Sequence, residues 1–256
     1  MQNGAVLIAV WFSCGAASAV AAKLTVEQYE PFEEVRVVYN PVVNEHPDNL
    51  RFLKDVEEWI GKDIELAANP KYPSCDINDT FKNKDGKYRF MSGPMGAPCT
   101  IELKKNARKH WEETNKPDHH VLGSTVEEKK RHDRFTLTER DNVLPVLIDA
   151  GLTKQDCMDK IVAAGISPPY IYSLGYSNAN CCGCVKASSP TYWNKIRKDF
   201  PEVFEERAKA SRECGAKLVR VNNKRIQLDE LDPNAKGRPL KTMKIECGIF
   251  CEEREF

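Results

Sequence analysis

The sequence predicts an α/β fold built on a mostly parallel sheet, and three observations carry that expectation. Short apolar, β-branched runs alternate with helix-like stretches over the first part of the chain. A small-residue break, Ser13-Cys14-Gly15, sits where an apolar run gives way to a helix-like one. The 256 residues, 41% hydrophobic and 30% charged, suffice for one substantial core and suit a soluble protein. Lys plus Arg (38) balance Asp plus Glu (38), so no overall field draws the chain to nucleic acid or to an anionic membrane.

The elements follow in order. Ala5 to Phe12 predicts a buried strand, then a tight small-residue loop and a helix from about Ser18. The same stretch imitates a secretory leader, but Met1-Gln2-Asn3-Gly4 lacks the basic side chain that a leader's start requires. A membrane span would have to carry Ser13-Cys14-Gly15 in its middle. The expectation is therefore a cytoplasmic protein with no membrane segment. Val35 to Tyr39 reads as a second strand, and Leu50 to Ile60 as a helix with apolar positions at helical spacing behind Pro47-Asp48. Asp63 to Leu66 suggests a short strand, and residues 69 to 98, with several Pro, Gly, Asn and Asp, a long loop. Thr100 to Trp111 resumes a helix, His120 to Leu122 is a strand, and Val126 to Asp133 a charged helical turn. Val143 to Ile148 is apolar and Lys154 to Ala164 amphipathic; Tyr192 to Glu213 is a long helix interrupted by Pro201. A short strand at Leu218 to Val221 precedes a polar Pro/Gly stretch. One α/β domain over residues 1–190 and a helical, cysteine-containing extension over 191–256 account for this order.

Half of the ten cysteines fall in two tight clusters, Cys181/Cys182/Cys184 and Cys247/Cys251. Such clustering in a chain of this length suits metal or iron–sulfur ligation in a reducing compartment better than a disulfide framework. Scattered singly, Cys14, Cys75, Cys99, Cys157 and Cys214 read as small buried apolar residues.

Six motifs carry chemistry. Phe12-Ser-Cys-Gly-Ala-Ala-Ser18 joins a strand to a helix, where backbone N–H groups and the helix dipole suit a phosphate and Ser13 and Ser18 can donate hydrogen bonds. Asn44-Glu-His-Pro-Asp-Asn49 follows the second strand, at the edge where open α/β folds bind ligands; Glu45 or His46 could meet ribose or adenine there, or the segment is a simple helix start. Gly96-Ala-Pro-Cys-Thr-Ile-Glu-Leu-Lys-Lys105 places Lys104, Lys105 and Arg108 behind Cys99 on a helix, an arrangement able to hold phosphate or sulfate or to form a solvated face. Gly123-Ser-Thr-Val-Glu-Glu-Lys-Lys-Arg131 pairs a loop glycine with a charged helical turn. Tyr172-Ser-Leu-Gly-Tyr-Ser-Asn-Ala-Asn-Cys-Cys-Gly-Cys184 presents a Cys-x-x-Cys pair in a glycine turn, suited to one metal or cluster. Glu246-Cys-Gly-Ile-Phe-Cys251 ends the series.

Together these motifs resemble, in order and over roughly residues 5 to 251, the phosphoadenylyl-sulfate reductase family within the adenine-nucleotide α-hydrolase (PP-loop) superfamily. Ser13, Gly15 and Ser18 match its Ser-Gly-Gly-x-Asp-Ser loop. Cys14 stands for a glycine there, and Ala17 for the aspartate that helps ATP pyrophosphatases hold magnesium. Gly123, Glu128 and Arg131 match Gly-x-x-x-x-Glu-x-x-Arg; Pro98-Cys99 keeps one cysteine of an adjacent pair; Phe250 replaces a histidine of the terminal Glu-Cys-Gly-Leu-His.

The resemblance implies a Rossmann-like, doubly wound, mostly parallel sheet with a Cys-bearing C-terminal extension. It implies an adenylyl-sulfate-type nucleotide held by Ser13, Cys14, Gly15, Ser18, Lys104, Gly123, Glu128 and Arg131, with Cys247 as nucleophile and a thioredoxin-like reductant. It also implies a [4Fe–4S] cluster on Cys181, Cys184 and two of Cys99, Cys247 and Cys251; zinc accepts such thiolate ligands too. Cys247 cannot be ligand and nucleophile at once. Two alternatives stay open. One is ATP-dependent thiolation of tRNA or DNA, with basic clusters at 104–110 and 129–134 as the nucleic-acid surface. The other is a non-enzymatic nucleotide-binding protein with structural zinc on Cys181, Cys184, Cys247 and Cys251.

Overall fold

The apolar run near the N-terminus becomes the central strand of a sheet. The computed structural model describes residues 6–93 and 96–240. Strand β1 (Leu7–Phe12) is buried at every residue, and helix α1 (Ala16–Tyr29) starts after a three-residue break. Next come β2 (Glu34–Tyr39), α2 (Asp48–Ile60), β3 (Ile64–Leu66) and the short α3 (Ile77–Phe81). A π-helical stretch, Thr100–Asn106, runs directly into α4 (Ala107–Asn115). Then follow β4 (His119–Val121), α5 (Lys129–Thr138), β5 (Val143–Leu144), α6 (Val146–Asp149), α7 (Lys154–Ala163) and α8 (Tyr170–Ser173). The last elements are α9 (Pro190–Asp199), α10 (Pro201–Glu213) and the antiparallel pair β6 (Val219–Val221) and β7 (Lys224–Ile226).

The described residues group into two compact units, and the chain enters each more than once. One holds residues 6–41, 47–67 and 108–173; the other holds 42–46, 68–93, 96–107 and 174–240.

The first unit contains a five-stranded sheet in the order β3-β2-β1-β4-β5, and every pair is parallel. A parallel strand covered on both faces reads as an unbroken apolar run, which is why Leu7 to Phe12 shows no polar alternation. Ile8, Val10 and Phe12 share a core with Ala19 and Val20 of α1, Phe52 and Val56 of α2, Leu147 of α6 and Ile161 of α7. The small side chains of α1 are among the most buried in the chain, and they let this helix lie close to the strands. Helix α2 ends at Gly61, whose φ of 72° is the left-handed stop that glycine adopts without strain.

Trp11 points to the opposite face by strand alternation. It meets Trp111 of α4 edge-on with ring centroids 5.5 Å apart, so helices cover both faces and the sheet is doubly wound. From β1 the order runs to β2 on one side and to β4 on the other. The carboxyl ends of β1 and β4 therefore form the switch point where such sheets bind ligands.

In the second unit, α9 and α10 bury Trp193, whose Nε1 donates to the Ala187 carbonyl at 2.8 Å. Arg207, buried on α10, donates to Asn78 Oδ1 at 2.6 Å. The helix expected over Tyr192 to Glu213 is two helices, since Phe200 leaves helical geometry and Pro201 opens the next at a position where proline fits. The long loop expected over 69 to 98 contains α3 and a hairpin closed by a Lys82–Tyr88 bridge. Among the described residues no helix is long and apolar enough to cross a membrane.

A polar cluster lies beneath Trp11. Its Nε1 donates to Nδ1 of His120 at 3.0 Å, Arg140 Nη1 lies against His120 Nε2, and Arg140 Nη2 donates to Glu112 at 2.8 Å. Burial first, then Arg140 and Arg108, lower the His120 pKa from 6.5 to about 3. The folded chain thus resists a proton that the unfolded chain accepts. Stability is whole above the unfolded pKa and declines below it toward pH 3, by roughly 1.4 kcal/mol per pH unit for one proton. Urea unfolding of wild type and His120→Gln at neutral and mildly acidic pH checks this: wild type should lose stability more steeply, and parallel losses would refute it.

Candidate nucleotide site and cysteine turn

The loop from Ser13 to Gly15 is set by three local facts. Cys14 has a φ of 53°, a left-handed conformation that a residue other than glycine adopts at a cost of about 1 kcal/mol. Its side chain is fully buried, with Sγ 3.7 Å from the Asn49 carbonyl. The glycine usual at this place in the resembled pattern thus answers a backbone requirement, and here a buried thiol fills the space. Ser18, on the first turn of α1, turns its hydroxyl back into the loop. Its Oγ accepts from the Ser13 and Gly15 amides at 3.1 and 3.3 Å, lies 3.2 Å from Ser13 Oγ, and donates to the Gly15 carbonyl at 2.9 Å.

Gly123 closes the site from the β4 side. A Cβ built there would lie 2.7 Å from Ser18 N and 3.0 Å from Ser18 Cα, both backbone atoms, so no side chain fits. The loop after β4 therefore rests on the amide end of α1, at the switch point.

The sequence reading placed Tyr172 with the cysteine turn, but the fold places it at the loop. A Cβ added to Gly15 would stand 3.2 Å from the Tyr172 hydroxyl, and that hydroxyl accepts the Ala16 amide. Burial pushes the Tyr172 phenol up to about 12, so it is a neutral hydroxyl at working pH. Tyr172 is held in place through α2. Arg51 is paired with Asp48 and Asp55 and donates to the Ser167 and Pro168 carbonyls, while Asp48 accepts the Tyr170 amide at 2.7 Å. The signal was present twice, in the tyrosine heading the fifth motif and in the Asp48 of the second.

Glu128 and Arg131 are brought together as an ion pair at 3.4 Å, and Glu128 also takes Lys154 at 3.4 Å. The site thus combines the amide end of a 14-residue helix, three hydroxyls (Ser13, Ser18 and Tyr172), a loop with no room for a side chain and a nearby charged turn. Such an end attracts anions because its first N–H groups lack helical partners.

In the second unit Lys104 is buried and paired with Glu45 at 3.0 Å, while His46 packs against the Phe200 ring. Beside them runs the cysteine turn. The Cys182 amide donates to the Asn44 carbonyl at 3.0 Å, and the Cys184 amide donates to the Tyr192 hydroxyl at 2.8 Å. Gly183 has a φ of 69°, and a Cβ there would strike Val203 at 2.7 Å. Cys181, Cys182 and Cys184 are buried, as is Cys99. Burial first, with the Glu45 carboxylate behind it, pushes the Cys182 thiol up to about 11. Among the described residues no three His, Cys, Asp or Glu side chains converge on one metal position. Cys247 and Cys251 lie outside the described residues.

Within the basic clusters expected at 104–110 and 129–134, some cations are taken up by the fold while Lys109, Lys130 and Arg134 stay exposed. Lys104 and Arg108 are buried, and helical spacing pairs Lys129 with Asp133 and Arg131 with Glu128.

No family model and no curated protein matches the chain. Among solved structures it is similar to the phosphoadenylyl-sulfate (PAPS) reductase of Candida auris in a phosphate complex, with 8% identity and a TM-score of 0.48 over 68% of this chain and 80% of that one. It is also similar to the U34-tRNA thiolase NcsA of Methanococcus maripaludis with its [4Fe-4S] cluster, with 12% identity and a TM-score of 0.43 over 99% and 82%.

Gly123→Ala should lower the unfolding free energy by about 1–3 kcal/mol, the cost of overpacking against backbone. Urea denaturation checks it, and a variant as stable as wild type would show that the two loops are not in contact.

Proposed function

We propose that the chain is a phosphoadenylyl-sulfate reductase-like enzyme of sulfur chemistry that binds an adenine nucleotide at the loop Ser13–Ser18. The observation that carries the proposal is the junction of β1 and α1, with its amide end, its hydroxyls and Gly123 pressed against it. The order of the motifs around it, Glu128 and Arg131 included, supports a phosphate-bearing ligand there.

In this reading the Cys247 thiolate attacks the sulfuryl sulfur of a phosphosulfate. The bond from that sulfur to the phosphate oxygen breaks, and the adenosine phosphate leaves with the electron pair. Cys247 then carries a thiosulfonate. A thioredoxin-like dithiol attacks the Cys247 sulfur, sulfite departs with the bonding electrons, and the partner's second thiol resolves the mixed disulfide. Ser13, Ser18 and Tyr172 orient the phosphate through their hydroxyls.

Cys181 and Cys184 have the donor chemistry and turn geometry of a two-thiolate half-site. With Cys247 as nucleophile, Cys99 and Cys251 would complete it for a [4Fe–4S] cluster or for zinc. A cluster, when bound, supplies charge that tunes its surroundings.

Anaerobic purification followed by iron, zinc and acid-labile sulfide analysis comes first, then sulfite release from adenylyl sulfate and its 3′-phosphorylated form. Cys181→Ser should lose at least half of the bound metal, and full retention would remove Cys181 from the ligand set. Cys247→Ser should abolish sulfite release while nucleotide binding persists. Sulfite release by that variant would remove Cys247 as nucleophile. ATP–pyrophosphate exchange without sulfite release would move the assignment to thiolation of a nucleic acid.

A further inference from the structure

A second site of a different kind lies on the hairpin that follows α3. Residues 82–90, Lys-Asn-Lys-Asp-Gly-Lys-Tyr-Arg-Phe, carry four cations and one carboxylate with two aromatic rings. The hairpin is a built structure. The Asn83 amide donates to the Lys87 carbonyl at 2.9 Å, and Asn83 Oδ1 accepts the Asp85 and Lys87 amides at 3.0 Å each. Gly86 supplies the turn with a φ of 77°. The Arg89 amide donates to the Phe81 carbonyl at 2.8 Å, and the Tyr88 amide donates to the Glu213 carboxylate of α10 at 3.1 Å, so the second strand is tied to the end of α3 and to α10.

At its base an open cleft of about 540 Å³ is lined by Thr80, Phe81, Lys82, Arg89, Phe90 and Pro98. Phe90 is 45% exposed, a large apolar surface left to water. Lys82 sits over the Tyr88 ring at 5.3 Å and shares Asp79 at 3.8 Å. Lys84, Lys87 and Arg89 form no ion pair among the described residues.

We propose that this hairpin and cleft bind single-stranded nucleic acid. The exposed Phe90 ring stacks a base in the cleft, Arg89 and Lys82 hold the adjoining phosphates, and Lys84 and Lys87 continue the track to the hairpin tip. The chemistry selects this occupant on two counts. Cations spaced around the hairpin match a phosphate chain, and a solvent-exposed aromatic beside them offers a face that any base can cover. A cleft of this volume is also within the range that holds a nucleotide-sized group. The chain as a whole is neutral, so the field here is local to the hairpin. The proposal does not rest on the phosphosulfate reading and would stand beside either sulfur reaction.

Fluorescence anisotropy with the full chain and labelled RNA and DNA strands of one sequence, about 15 nucleotides long, tests it. Lys84→Glu with Lys87→Glu should weaken binding roughly tenfold or more and flatten the log–log salt slope by about 1.4, the value for two phosphate contacts on a single strand. Phe90→Ala should weaken binding by roughly five- to hundredfold with an unchanged slope, the signature of lost stacking. Arg89→Gln serves as a further variant should Phe90→Ala misfold, and it should flatten the slope by about 0.7. Tighter binding of RNA would add recognition of the 2′-hydroxyl, and equal binding would place recognition in base faces and phosphates; either supports the site. No binding at low salt, full affinity in the charge-reversal variant, or displacement by poly-glutamate as effective as by the oligonucleotide would each overturn it.

Discussion

Between the loop after β4 and the first turn of α1 there is no room for a side chain, and much of the first unit is arranged around that contact. A Cβ on Gly123 would meet the Ser18 backbone at 2.7 Å. The approach is possible only because β1 and β4 are hydrogen-bonded neighbours and α1 packs on them through alanines. It fixes where the amide end of α1 lies, and so where Ser13, Ser18 and Tyr172 converge. A one-residue shift between β1 and β4 would also turn Ile8 and Val10 out of the core that holds α1 in place.

The cysteine turn has its own support within the second unit. Its amides are held by the Asn44 carbonyl and the Tyr192 hydroxyl, and its glycine is pressed against Val203. Tyr192 is fully buried among aromatic neighbours, which raises its phenol well above the ordinary range, so it remains a neutral acceptor for the Cys184 amide. Backbone and aromatic packing thus position Cys181 and Cys184, and the thiols are presented by a shaped turn.

Much of the first unit was legible in the sequence because its signals are local. The strand β1, the break at Gly15, the strand β2 and the helix α2 were each marked by period, β-branching or a start signal within a dozen residues. Gly123 was legible as a motif glycine, although the reason for it, a helix more than a hundred residues earlier, was not. Other features depend on distant burial. The division into units takes residues 42–46, 68–93 and 96–107 away from their chain neighbours, which no local pattern records. Lys104 reads as a surface cation until Glu45 is found beside it, and Tyr172 reads as part of the cysteine segment until α2 is seen to draw α8 toward the loop. The hairpin at 82–90 was hidden within a stretch that composition marks only as loop.

The hydroxyls of Ser18 and Tyr172 already occupy the Ser13, Gly15 and Ala16 amides. Any anion that enters the loop must displace internal acceptors rather than bulk water, so each new hydrogen bond contributes only its excess over the one it replaces. For a bound anion the heat of association would be correspondingly small, and affinity would depend on charge and on contacts to the rest of the ligand. A loop satisfied in this way would discriminate against small anions, because inorganic phosphate brings no further surface with which to offset the exchange.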